Sequence, residues 1–398
     1  MSHKAVVIRL IRHHSTTTFT SISKAKSKLR TEYNPDEALK IFSSVAKEFA
    51  SPESSRYAQD LTVRCLARSG RFSDVENLIE SRKNDPEVTQ EPFLSTLIRS
   101  YGRAGMFDHA LNTYNQMDDL GTPRSALSFN ALLSACIDAK LFDKVPILFD
   151  EMPKKYGVAP DKISYGMLVK SFCEVSQPEK ALELVKEADE KGMEITVVTY
   201  TTILDGLYRK GKSDEAEKLW NLMDKKGCTD AAAYNVRLMF EQKGRQPEEV
   251  KAMIDEMTNA GIKADTVTYN CLMTCYLKSG MVDEAKAVFQ GLRKNGCKPN
   301  AATFRSLVYY LCRNGNYEQG YKVFKKSVEI HKIPDFNTLK ILTEGLVKKG
   351  KKKEAKGLIR TVKKKFPPHM LKAWEKVEED LNLTSVDAES EKAEKPSA

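Results

Sequence analysis

The sequence predicts an all-α fold, a solenoid of about ten helix-turn-helix repeats. Two observations predict it. A small or β-branched residue recurs at Ala38, Val75, Ala110, Val145, Ala181, Ala216, Val250, Ala285, Gly320 and Ala355, at intervals of 34 to 37 residues. Most of these positions open a stripe at i, i+3, i+4 and i+7. Val145, Leu148, Phe149 and Met152 form one; Ala216, Leu219, Trp220 and Met223 another; Ala285, Val288, Phe289 and Leu292 a third. Such spacing puts four apolar residues on one helix face. A fixed period near 35 residues means stacked units, each burying its stripe against its neighbours. Function is then carried repeat by repeat and not by one active site.

The N-terminal segment, residues 1–31, carries seven Lys/Arg and no acid. The stretch Val6-Val7-Ile8-Arg9-Leu10-Ile11-Arg12 can form a basic amphipathic turn, and Ser15-Thr16-Thr17-Thr18 follows it. This is the composition of an organelle transit peptide, and the Arg-bearing start favours the mitochondrion over the chloroplast. The alternative is a basic arm that stays attached and touches RNA. A degenerate first repeat over 19–55 partly overlaps this leader. The main array covers 56–370, with repeats starting near 56, 91, 126, 162, 197, 231, 266, 301 and 336.

One repeat, Thr266 to Asn300, shows the pattern. Val267, Tyr269, Leu272 and Tyr276 supply the apolar face of a first helix, which Ser279-Gly280 ends. Asp283 and Glu284 sit near the positive N-terminus of a second helix. Asn295-Gly296 ends that helix, and Pro299 marks the boundary because proline cannot continue a helix interior. After the last repeat, 371–381 reads as a capping helix. The acidic segment 382–398 reads as a disordered tail.

Charge is unevenly placed. The net charge of +10 breaks into +7 for 1–31, +10 for 336–372, −5 for 373–398 and −2 for the rest. The array body is therefore nearly neutral, and any basic surface must come from arrangement or from the last repeat. No apolar run approaches the ~18–20 residues of a membrane span. Five of the eight cysteines (Cys65, Cys136, Cys173, Cys275 and Cys312) fall mid-way along first helices, where a small buried residue packs. No second Cys/His pair lies at zinc spacing near Cys271 and Cys275. No P-loop or Gly-x-Gly-x-x-Gly is present, so no cofactor, metal or small-molecule substrate is implied.

The segments Val197-Val198-Thr199-Tyr200-Thr201 and Thr266-Val267-Thr268-Tyr269-Asn270 closely resemble the pentatricopeptide repeat family, over roughly 19–370. The pure-repeat class and a plant-type mitochondrial member are the nearest match. The tetratricopeptide repeat has a Trp-x2-Leu-Gly-x2-Tyr signature, and the only tryptophans, Trp220 and Trp374, stand in unrelated places. The resemblance implies a right-handed superhelix that contacts single-stranded RNA at one base per repeat. The family's deaminase signature, His-x-Glu with a downstream Pro-Cys-x-x-Cys, does not occur, so the expectation is not an enzyme.

In the family the fifth and last residues of a repeat choose the base, and the second packs against it. Carried over, Asn130 with Asp161 resembles a uracil pair, and Thr201 with Asp230 a guanine pair. Asn235 with Asp265 resembles uracil again, and Asn270 with Asn300 a pyrimidine pair. The register implies 5′-U-x-G-U-Y-3′. Second-position stacking residues are Leu127, Val198 and Val267, with Ala232 and Ala302 smaller candidates. Asp60 with Gln90, Ser95 with Ser125, Gly166 with Thr196, Arg305 with Asp335 and Lys340 with Met370 fit no clear pair. The structural alternative for Asn130, Asn235 and Asn270 is a helix-start residue capping its own backbone.

The basic last repeat suits phosphates. Arg305, Lys340, Lys351, Lys352, Lys353, Lys363, Lys364 and Lys365 are the candidates, with a solvated charged face as the bland alternative. The implied partner is a mitochondrial mRNA or rRNA, and the implied role is transcript stability, processing or translation. Short arrays of this kind also occur as mitochondrial ribosomal subunits among mitoribosomal proteins. A purely protein-binding scaffold is the third reading.

Overall fold

A computed structural model of the chain describes residues 22–45, 52–190, 192–242, 244–366 and 371–383. The leader expected over 1–31 therefore lies outside the described residues up to residue 21, as do 384–398 of the expected tail. The chain divides into two compact units, Met1–Glu215 and Ala216–Ala398.

The first unit holds α1 (Ile22–Leu29), α2 (Pro35–Val45), α3 (Pro52–Arg68), α4 (Phe72–Arg82), α5 (Glu91–Arg103), α6 (Phe107–Asn115), α7 (Ala126–Asp138), α8 (Lys144–Tyr156), α9 (Lys162–Glu174), α10 (Pro178–Glu190) and α11 (Val197–Arg209). The division falls inside α12 (Ser213–Lys225). The second unit continues with α13 (Ala231–Glu241), α14 (Pro247–Asn259), α15 (Thr266–Lys278), α16 (Val282–Gly291), α17 (Ala301–Arg313), α18 (Tyr317–Glu329), α19 (Phe336–Lys348), α20 (Lys352–Lys365) and α21 (Lys372–Asp380). The fold is all-α, built of helix pairs, as expected.

Within each unit the odd-numbered helices pack on one another as a layer. In the first unit α5 lies on α3 and α7, and α9 on α7 and α11; in the second, α15 lies on α13 and α17. The even-numbered helices form a second layer against them. The stripes explain this order. Val145, Leu148 and Met152 of α8 are buried, as are Ala216, Leu219, Trp220 and Met223. Each stripe closes over the first helices, in a core of Leu94, Leu97, Tyr101, Phe129 and Leu132 in the first unit. The second unit's last core joins Phe324, Leu342, Leu358 and Ile359 to Trp374 and Val377 of α21. Leu383, just past α21, is also buried there.

The turn after α5 shows how the pairs are closed. Gly105 takes φ +76°, a left-handed conformation that costs a side-chain-bearing residue about 1–2 kcal/mol. The Met106 amide then donates back to Tyr101 O at 2.9 Å, which satisfies a terminal carbonyl.

At the N-terminus, α1 falls where the expected leader and the expected first repeat over 19–55 overlap. Ala25 and Leu29 are buried with Ile41, Phe42 and Ala58. Residues 22–29 are part of the packed array, because the i and i+4 positions of α1 close the core of the first pair.

The expected cysteine burial is found: Cys65, Cys136, Cys173, Cys275 and Cys312 are all free and buried. Burial pushes the Cys136 thiol up to about 11 and those of Cys173 and Cys312 up to about 12. Such thiols are protonated and weakly reactive at neutral pH.

Candidate nucleic-acid interface

The first helices start on a polar cap, and this cap organises the candidate site. Asp161 has extended backbone and precedes α9. Its Oδ1 accepts from the Ile163 and Ser164 amides, both at 2.9 Å. A carboxylate there satisfies helix-end amides that have no other partner. The same Oδ1 accepts from Asn130 Nδ2 at 3.0 Å, one repeat earlier on α7. Ser164 Oγ donates to Asn130 Oδ1 at 2.6 Å and closes a triad. Asn130 is buried in this arrangement.

Two more triads share the plan. Asn235 Nδ2 donates to Asp265 Oδ1 at 3.0 Å, and Thr268 Oγ1 donates to Asn235 Oδ1 at 2.7 Å. Asn270 Nδ2 donates to Asn300 Oδ1 at 3.3 Å, and Thr303 Oγ1 donates to Asn270 Oδ1 at 2.8 Å. So none of the three asparagines caps its own helix. Each sits inside a first helix and orients the cap of the next one.

Ser164, Thr268 and Thr303 were not among the sequence candidates. Their signal was present: each stands three residues after the last residue of a repeat, the spacing of a capping box.

The other predicted pair differs. Thr201, in the first unit, has its hydroxyl oxygen buried with no hydrogen-bond partner among the described residues. Asp230, in the second unit, caps α13 through the Ala233 amide at 2.9 Å.

The second positions are apolar and open. Leu127 is 38% exposed, Val198 70% and Val267 36%. Ile163 at 55% and Tyr57 at 42% hold the same place in their repeats and were missed. An exposed apolar side chain standing singly is ordinary, and what marks these is their recurrence at one place in the repeat.

Repeat 91–125 is closed by its own chain. The Glu91 carboxylate accepts from the Ser125 amide at 2.7 Å and the Ser128 amide at 3.0 Å. It shares the capping of α7 with Ser125, whose Oγ accepts from the Leu127 amide at 3.1 Å, while the Ser95 hydroxyl stays buried without a partner among the described residues. No single-repeat pattern reveals this, because the contact joins residues 34 and 37 apart.

Burial raises the pKa of Asp161, but bonds from Asn130, Ser164 and Ile163 outweigh it and hold the carboxyl below the usual range. A depressed carboxyl stabilises the fold above its unfolded pKa near ~4 and loses that contribution as pH falls through its folded pKa. Asp161→Asn is therefore expected to be less stable than the parent at pH 7, with the gap shrinking toward pH 3. Thermal melts at both pH values check this; a constant gap would contradict it.

The predicted phosphate set is split between layers. Arg305 and Lys340 lie on first helices α17 and α19; Lys352, Lys353, Lys363, Lys364 and Lys365 lie on second helix α20. Three are ion-paired. Lys351 meets Glu318 at 3.0 Å, Lys340 meets Glu344 at 3.8 Å, and Lys363 meets Glu378. Arg305 is exposed beside Asp335, which caps α19. Lys352, Lys353, Lys364 and Lys365 make no ion pair among the described residues and are exposed. Since α20 buries Ala355, Leu358, Ile359 and Val362, Lys353 and Lys364 project from its opposite face.

Comparison with known proteins places these features. Residues 124–174, 195–238 and 264–313 match the PPR repeat family, and 94–122, 163–193 and 302–330 match the PPR repeat. The chain is 57% identical over 367 residues to a small ribosomal subunit protein, mL103 (rPPR7), of Arabidopsis thaliana. That match spans 92% of this chain and 89% of the relative. It is 53% identical over 398 residues to a mitochondrial pentatricopeptide repeat-containing protein of the same plant, spanning 97% and 94%. The crystal structure of pentatricopeptide repeat protein PPR10 with an 18-nt psaJ RNA element aligns at TM-score 0.45 and 17% identity. This chain covers 56% of that one and is itself 89% covered. The matched repeats and the two near-full-length relatives place the chain in the pentatricopeptide repeat (PPR) family.

Proposed function

We propose that the chain binds RNA in mitochondrial gene expression, as a protein of the small subunit of the mitochondrial ribosome. The observation that carries this reading is the 57% identity to a small ribosomal subunit protein over most of both chains. The residues support it. Among the described residues three repeats hold a complete Asn–Asp or Asn–Asn triad, too few to select one transcript at ~1–3 kcal/mol for each stacked base. The unpaired lysines of α20 offer a backbone-binding surface that needs no sequence. A binding protein, not an enzyme, fits this architecture.

The triads fit bases by chemistry. Each Asp uses Oδ1 internally, which leaves Oδ2 as an acceptor beside the second Nδ2 hydrogen of its Asn. An acceptor next to a donor matches the N3–H and carbonyl edge of uracil. Asn300 uses Oδ1 for Asn270 and the Thr303 amide, so it presents Nδ2, a donor. Two donors match the N3 and O2 acceptors of cytosine. Leu127, Ile163, Val198 and Val267 would pack on base faces.

The second reading is a transcript-specific factor, favoured by the 53% identity to a mitochondrial protein described only by its repeats. Gradient sedimentation of mitochondrial extract separates the two. A ribosomal protein is expected to run with small-subunit particles at moderate salt. Confinement to the top of the gradient would refute that role and favour the second reading.

The basic N-terminal composition and the 53% identity to a mitochondrial relative support mitochondrial import. We place the end of the leader before Ile22, because cleavage at residue 31 would remove buried Ala25 and Leu29. Mass spectrometry of the mature protein is expected to find an N-terminus at or upstream of residue 22. A start beyond Leu29 would contradict it.

A further inference from the structure

The first-helix layer of the N-terminal unit carries an arginine cluster that neither base reading nor fold stability accounts for. Gln59 Nε2 donates to Ser100 Oγ at 2.8 Å in a buried bond that ties α3 to α5. Gly102 lets α5 approach α7 so closely that an added Cβ would lie 2.3 Å from Ala135 Cα. Arg103 then reaches Asp138 of α7 at 3.2 Å. These ties bring Asp60, beside Gln59, and Arg99, beside Ser100, to the α3–α5 junction.

Arg64 and Arg99 stand four residues after Asp60 and Ser95, on the stripe that also carries Tyr57. Arg99 is half-buried, and neither it nor Arg56 or Arg64 makes an ion pair among the described residues. Asp60 acts on the arginines through its charge alone: its Oδ1 is buried with no hydrogen-bond partner among the described residues. Burial lowers the Arg99 pKa, Arg56 and Arg103 lower it further, and Asp60 opposes them. Four arginines thus face two carboxylates, and the half-buried Arg99 guanidinium makes no ion pair among the described residues. A partly desolvated cation in excess over its acidic neighbours favours the approach of an anion.

We propose that Arg56, Arg64, Arg99 and Arg103 form a phosphate clamp for the RNA backbone, next to the base held at Asn130. The clamp rests on the RNA-binding reading but not on base selection. The two repeats concerned have no readable pair: Asp60 faces the arginines, and Glu91 blocks the next slot. They grip the strand where later repeats would read it. Guanidinium suits the task because its planar donors fit two phosphate oxygens at once.

The test uses the full chain, a random-sequence 12-nt RNA, and the same RNA with neutral methylphosphonate linkages. Arg99→Gln is expected to weaken binding of the charged RNA about fivefold near 0.1 M salt. It should also lower the salt slope by about 0.7, the contribution of one single-strand phosphate contact. Arg99→Lys should keep most of the slope, and the neutral RNA should bind parent and Arg99→Gln alike. If Arg99→Gln melts below the parent, the exposed Arg64→Gln supplies the same comparison. Unchanged affinity and slope in both glutamine variants overturn the clamp. Binding of U-x-G-U-Y RNA runs in parallel. An Arg99-dependent slope without preference for that motif sinks base reading and leaves the clamp standing; failure to bind any RNA sinks both.

Discussion

Gly102→Ala is expected to destabilise the N-terminal unit by about 3 kcal/mol, the upper range for overpacking a rigid site. The reason lies in what the new methyl group meets. It would stand 2.3 Å from Ala135 Cα and 2.6 Å from Ala135 Cβ. Shortening the neighbour removes only the second contact, because the first is backbone. Two first helices must therefore separate, and Tyr101, Leu97, Phe129 and Leu132 around them lose contacts in the unit's core. Propensity works the other way, since alanine is favoured over glycine in a helix by about 1 kcal/mol. Gly166, inside α9, isolates that term: its nearest neighbour would be Thr199 Oγ1 at an ordinary 3.5 Å. Gly166→Ala should leave stability unchanged or raise it. At about 2–4 °C per kcal/mol for a unit of this size, Gly102→Ala should melt roughly 6–12 °C lower. Equal melting of the two variants would show that the helices do not approach so closely.

Asp265→Asn is expected to switch the preference at its repeat from uracil to cytosine by about tenfold, or about 1.4 kcal/mol. Oδ1 of Asp265 accepts from the Val267 and Thr268 amides and from Asn235 Nδ2. All are donors, so an asparagine must turn its oxygen toward them and its amide outward. Asn300 already does this one repeat later, accepting from the Thr303 amide at 3.0 Å. The outward group changes from acceptor to donor while the cap is kept. As caps alone asparagine and aspartate are about equal, so any loss of melting temperature at pH 7 should not exceed that of Asp161→Asn, which also loses the contribution of its depressed carboxyl. Binding of paired RNAs differing only at that base gives the answer. An unchanged ratio would show that the Asn235–Asp265 triad serves only to cap α15.

Much of this architecture was legible along the chain. The recurrence from Ala38 to Ala355 and its stripes predict two-helix units because helix periodicity is a local property. Burial of Cys65, Cys136, Cys173, Cys275 and Cys312 follows from their place in the period, as does the exposure of Leu127, Val198 and Val267. Ile163 and Tyr57 were readable by the same register and went unnoticed because their repeats lack a clear base pair. The charges were less legible. Composition counts the lysines of the last repeat together, whereas three-dimensional placement puts Lys340 on α19, Lys353 and Lys364 on α20, and pairs Lys351 and Lys363 with acids.

The amino-acid sequence by itself determined the all-α class, the period, the buried stripes and the family, because each is written in spacings within one helix or one repeat. Only the tertiary structure decided which partner each polar side chain meets. Asn130 finds Asp161 and Ser164, Glu91 intrudes on Ser125, Gly102 admits Ala135, and Arg99 is left facing arginines. Each of these pairings crosses from one repeat to the next. Its strength depends on distance, direction and loss of water, which the order of residues along the chain does not specify.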